Sequence, residues 1–145
     1  MDILLTLHSY LRYVIIVLAI LVVVGAAIGM TNGTAFKDSQ KKQALFLMIS
    51  SDIMLLIGLI LYFGNGWFTQ LTSNPDAMKT KGIRQFALEH AVTMIIAWVL
   101  VHVGYAKIKN GVGNIAANKT VLIYTSIAIV LILVTIPWAN RPMFR

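Results

Sequence analysis

Long apolar runs separated by short polar links set the pattern of this chain. The runs cover about 3–30, 43–63, 84–107 and 120–139, and each reaches the ~20 residues needed to cross the hydrocarbon of a bilayer as a helix. Runs of that length are about twice what a barrel strand requires, so helices are expected and strands are not. The first run carries no charge over 13–36 and is read as a span rather than a cleaved leader, although Gly25-Ala26-Ala27 resembles a small-residue cleavage site. The link over 31–42 holds the turn signal Asn32-Gly33 and the charges Lys37, Asp38, Lys41 and Lys42. After the second run, Gly64-Asn65-Gly66 opens the longest loop, with Trp67 and Phe68 expected at the membrane interface and Asn74-Pro75-Asp76 as a turn. Asn110-Gly111-Val112-Gly113-Asn114 closes the third run. The expected fold class is an all-α membrane protein: one domain, an antiparallel four-helix transmembrane bundle with both termini on one side.

Composition agrees with that pattern. Of 145 residues 59% are hydrophobic and 12% charged, about half the charged fraction of a soluble domain. The net charge of +7 belongs to lysines and arginines flanking the apolar runs, where they meet lipid head groups, and no nucleic-acid partner is expected. With no cysteine, disulfides, thiolate metal sites and cysteine nucleophiles are excluded. Neither a nucleophile elbow nor a phosphate loop nor a His-Glu-x-x-His zinc motif is present, so an electron carrier or a subunit fits better than a stand-alone enzyme. Lysines 37, 41, 42, 107, 109 and 119 lie close to the spans on one side. Arg12, Lys79, Lys81, Arg84, Arg141 and Arg145 lie on the other, which leaves the count tied. The compact lysine-bearing links are read as cytoplasmic, placing both termini outside the cytoplasm.

Ionisable residues inside the spans are the candidate chemistry, because each costs several kcal/mol in hydrocarbon unless partnered. His8 and His90 enter from the terminal side and are expected level with one another, ~8–10 Å below that face. Arg12, one turn from His8, joins them with Arg84, Glu89, Trp138 and Arg141 to form a polar pole. Two imidazoles on facing helices can hold one metal or both axial positions of a haem iron, and arginines can pair with its carboxylates. Glu89 can alternatively pair with Arg12 or Arg84. His102 lies twelve residues beyond His90, ~18 Å along the helix and rotated by about 120°, so the two cannot share a metal. Asp52, near the midplane, is either a neutral carboxyl bonded to Ser50, Ser51 or another helix, or a proton relay linking the levels of His90 and His102. The plainer readings are interfacial histidines, arginines anchored on head groups, and methionines such as Met54 and Met94 used for packing.

Leu7-His8-Ser9-Tyr10-Leu11-Arg12-Tyr13, Leu55-Leu56-Ile57-Gly58-Leu59-Ile60-Leu61-Tyr62-Phe63, Glu89-His90, Gly104-Tyr105 and Ile136-Pro137-Trp138 together resemble a family of small four-span bacterial membrane proteins commonly labelled cytochrome b. The resemblance implies a noncovalent haem b held by His8 and His90. It departs at Asp52, where the family pattern has a histidine, and at Met54, where it has a glutamine. Three histidines cannot supply two bis-histidine haems. The expectation is therefore a one-haem electron carrier or haem-bearing subunit of a respiratory or other membrane complex: His8 and His90 as ligands, Arg12, Arg84 and Arg141 for the propionates, and Asp52, Glu89 and His102 as relay or structural polar groups. The alternatives are a haem-free accessory subunit and a quinone- or lipid-binding protein using His90 and Glu89.

Overall fold

The computed structural model describes residues 1–138 and is all-helical over that range. Four long helices appear: α1 (Asp2–Thr31), α2 (Asp38–Gly64), α4 (Lys81–Ile108) and α5 (Ala116–Thr135), with the short α3 (Trp67–Ser73) between α2 and α4. All four long helices have the length and apolarity to cross a membrane. Each expected run lies largely within one helix. The 67–81 loop differs, because its first residues wind into α3 once Gly66, at φ 72°, has turned the chain. Trp67 then stacks on Phe86 at 5.2 Å with the rings 22° apart, so it serves as a packing residue against α4.

The helices pack in the order α1, α2, α4, α5 and back to α1, each chiefly against two others. Small residues recur on the inward face, interspersed with larger ones. On α1 the buried positions are Arg12, Ile15, Ala19, Val22, Ala26 and Gly29, alternating steps of three and four. Ala97, Val101, Gly104 and Ile108 repeat that spacing on α4. This is the seven-residue seam that lets helices interdigitate, filled with small residues so that backbones approach closely. Bulky Val14, Val17, Leu21, Val24 and Ile28 stand outward on the same helix as the first seam.

At the end of α1 the links are stitched by polar contacts. Asn118 is wholly buried; its Nδ2 donates to the Thr34 carbonyl at 2.9 Å and its Oδ1 accepts from Gln40 Nε2 at 3.0 Å. Phe36 is 1% exposed and bonds by its backbone to Asn114 and Gly113. The two links on this side are thereby tied to each other and to α2.

Candidate functional site

Arg12 continues the inward seam of α1, and His8 lies one turn before it on the same face. The facing histidine is set by a local irregularity: Gln85–His90 forms a π-helical turn within α4. Such a turn carries an extra residue and re-aims the side chains at its end, a device common at functional sites. The Tyr62 hydroxyl donates to the Ala87 carbonyl at 2.8 Å and pins the widened turn to α2. In consequence His8 and His90, from helices diagonal in the packing order, meet with ring centroids 6.5 Å apart and planes 63° apart. The Thr135 backbone lies within hydrogen-bonding reach of the His90 ring. Gly58 on α2 leaves the room His8 occupies: a Cβ there would stand 3.4 Å from His8 Cε1 and 3.9 Å from Nδ1.

Arg12 is 9% exposed. Its Nη2 donates to the Tyr13 hydroxyl at 2.9 Å, and its guanidinium lies 4.9 Å from the centroid of the Tyr13 ring and 5.5 Å from that of Trp138. Aromatic faces attract the cation but leave its charge uncompensated, and no ion pair involves it among the described residues. Three buried side-chain atoms lack any hydrogen-bond partner among the described residues: His8 Nδ1, His90 Nδ1 and Arg12 Nε. Unpaired buried polar atoms are rare and each costs about 1–3 kcal/mol. That all three fall at one place marks where the protein leaves bonding capacity open.

The other expected members of the pole separate from it. Arg84 does not reach into the histidine pair, because its Nε donates to Glu89 Oε1 at 2.8 Å and its Nη1 to the Met78 carbonyl at 3.1 Å, on an exposed flank. Their spacing of five residues suits the π-turn, which carries Glu89 outward as it carries His90 inward. Glu89 is thus paired with Arg84, one of the two arginines expected for it. Arg141 lies outside the described residues.

Asp52 and His102 form a second polar cluster. Asp52 Oδ1 accepts from Trp98 Nε1 at 2.7 Å and stands 3.0 Å from His102 Nε2. His102 Nδ1 lies 3.0 Å from the Trp98 carbonyl, and the two rings are 4.3 Å apart. Asp52 therefore bonds across to α4, while Ser51 satisfies itself on the Leu47 carbonyl. Toward the pole, Asp52 and Gly58 are six residues apart on α2, ~9 Å, and no hydrogen bond among the described residues joins the cluster to His8 or His90.

Sequence reasoning missed Gly58, Tyr62 and Trp98 as residues that shape these sites. The available signals were a glycine and a tyrosine within an apolar span, and an indole N–H at a depth where it needs an acceptor. Among the described residues no three metal-ligating His, Cys, Asp or Glu side chains cluster, so a metal at the pole would have only the two imidazoles as ligands of those types. No protein-family model matches the chain, and no significant similarity to a curated protein or to a solved structure was found.

Proposed function

We propose that the chain is an antiparallel four-span membrane protein that binds one haem b between His8 and His90 and serves as an electron carrier or as the haem-bearing subunit of a larger membrane assembly. The observation that carries this reading is the coincidence of the three unpartnered buried atoms, on His8, His90 and Arg12, at the height where the two rings face each other. A centroid separation of 6.5 Å suits two imidazoles gripping one metal, with a bond of about 2 Å on each side plus the half-width of each ring. The residues present therefore fit the group.

His8 and His90 would each hold the iron by a ring nitrogen, and Arg12, already desolvated, would pair a carboxylate of the group with a charge-assisted bond. Gly58 keeps α2 from filling the space beside His8, while the Tyr62 bond to Ala87 holds the π-turn that aims His90. The haem, when bound, supplies one-electron chemistry; the protein sets its orientation, its access to water and the charge around it. In this reading the helices lie in a bacterial cytoplasmic membrane with the termini outside.

The test is a reduced-minus-oxidised absorption spectrum of protein purified from haem-replete cells. Haem b bands are expected in the native chain and should disappear in His8→Ala and in His90→Ala. A preparation without Soret absorption, co-purifying with a membrane complex and unaltered by His8→Ala, would identify a haem-free accessory subunit instead. Release of a bound quinone on solvent extraction, again without Soret absorption, would identify a quinone site.

A further inference from the structure

The Asp52–Trp98–His102 cluster lies between α2 and α4, apart from the histidine pair, and its bonding pattern constrains how many protons it holds. A carbonyl oxygen can only accept, so the 3.0 Å contact with the Trp98 carbonyl places a hydrogen on His102 Nδ1. An indole N–H can only donate, so Asp52 Oδ1 accepts from Trp98. His102 Nε2 then faces that same oxygen at 3.0 Å. With no proton between them, a lone pair would oppose a carboxylate. With a proton on each, the carboxyl hydrogen would have to sit on Oδ2, and the pair would carry a net positive charge. One proton satisfies both atoms.

We infer that Asp52 and His102 form a proton-binding site at the mid-depth of the α2–α4 seam, holding one shared proton in a pair that is neutral overall. Neutrality suits the location, because the pair is only partly covered by protein, with side-chain exposures of 41% for Asp52 and 29% for His102. A net charge standing against hydrocarbon is costly, whereas a hydrogen-bonded neutral pair is not. Nothing charged nearby alters the count. Residues 13–36 span most of α1 without a charge, and α5 beyond Lys119 carries none as far as Thr135, presenting Tyr124 to Gly104. On α2 the nearest titratable groups are Lys42 and Tyr62, each ten residues away. On α4 they are Tyr105, one turn from His102, then Lys107, with Glu89 and His90 at least twelve residues back.

The proton also has a structural consequence. It joins α2 to α4 at mid-depth, while Tyr62 and Ala87 join them near the pole. Removal of the proton would set two acceptors 3.0 Å apart and push the seam open there.

The test is nitrogen NMR of 15N-histidine-labelled protein in lipid nanodiscs at neutral pH. His102 should show a protonated Nδ1 and an Nε2 shift intermediate between bare and fully protonated. In Asp52→Asn the Nε2 signal should move to the position of a neutral imidazole acceptor, with the His8 and His90 signals unchanged. In Trp98→Phe the carboxylate loses its fixed donor, the proton moves toward Asp52, and Nε2 should shift toward bare. A bare Nδ1 in the native chain, or a His102 spectrum indifferent to both substitutions, would overturn the inference. The native spectrum and Trp98→Phe decide the matter even where Asp52→Asn does not fold. The deciding readouts come from His102 and do not depend on whether haem is bound.

Discussion

Replacing Gly29 by alanine should disturb the buried clamp at the end of α1, by an amount the neighbouring atoms allow one to work out. A Cβ at position 29 would lie 2.6 Å from Asn118 Oδ1, 2.7 Å from Cγ and 2.8 Å from Nδ2, all closer than carbon approaches such atoms. Asn118 must therefore move, yet it is wholly buried and both ends of its amide are bonded, to Gln40 and to the Thr34 carbonyl. The Thr34 carbonyl sits in an exposed link and water can replace its partner, whereas Gln40 is part-buried. Losing a buried hydrogen bond with a partner left unsatisfied costs about 1–3 kcal/mol, and the crowding left after Asn118 moves adds about 1 kcal/mol. Gly29→Ala should lower stability by roughly 2–4 kcal/mol on those terms.

Asn118→Ala should cost a similar roughly 2–4 kcal/mol, from the same lost bonds plus an unfilled space. The informative measurement is the double variant, because the methyl introduced at position 29 would occupy space vacated by the Asn118 amide. A favourable coupling of about 1–3 kcal/mol is expected in a double-mutant cycle. Reversible unfolding in mixed micelles, followed by circular dichroism, supplies the four free energies. Strict additivity of the two single effects would refute the reasoning, since it would mean that the side chain at 118 and the surface of Gly29 do not share one space. Gly29 is 21 residues from His8 along α1, ~31 Å, so any bound-haem spectrum should stay unchanged throughout the series.

On the proposed haem reading, Gly58→Leu should abolish cofactor retention while leaving helix content by circular dichroism intact, because the larger side chain enters the space of His8; Gly58→Ala, whose Cβ meets His8 at 3.4 Å, should retain more. Arg12→Gln keeps a donor but loses the charge, and should weaken haem retention roughly 10- to 100-fold in a transfer assay to apomyoglobin, as expected for loss of a charged hydrogen bond. In Arg84→Gln the same assay should move less than about threefold, because that side chain serves Glu89 in an exposed pair worth under about 1 kcal/mol. Tyr62→Phe deletes one hydrogen bond to the π-turn and should cost about 1 kcal/mol in unfolding; on the proposed reading the electron paramagnetic spectrum of the bound haem should also change as His90 is re-aimed.

Much of the fold is legible in the chain because runs this long and apolar suit a helix, which satisfies every backbone bond within the segment as hydrocarbon would demand. The four runs and the four long helices coincide for that reason. Inward and outward faces are harder to read, since lipid is as apolar as leucine and hydrophobicity does not distinguish them. Small residues are a partial guide, since Ala19, Ala26 and Gly29 mark the seam, but Ile15 and Val22 share it while Val17 and Val24 face outward.

Shared heights follow from rise per residue, so the levels of His8 and His90 could be set from the sequence, and their rings do meet. Direction around a helix is different, because one inserted residue re-aims everything beyond it. The π-turn at Gln85–His90 does this, bringing Glu89 to Arg84 and His90 to the interior, and counting at 3.6 residues per turn cannot foresee it. Asp52 makes the same point across helices. Its depth was fixed by its place in α2, but its choice of His102 and Trp98 over the pole depends on how α2 and α4 stand against each other, which only packing decides.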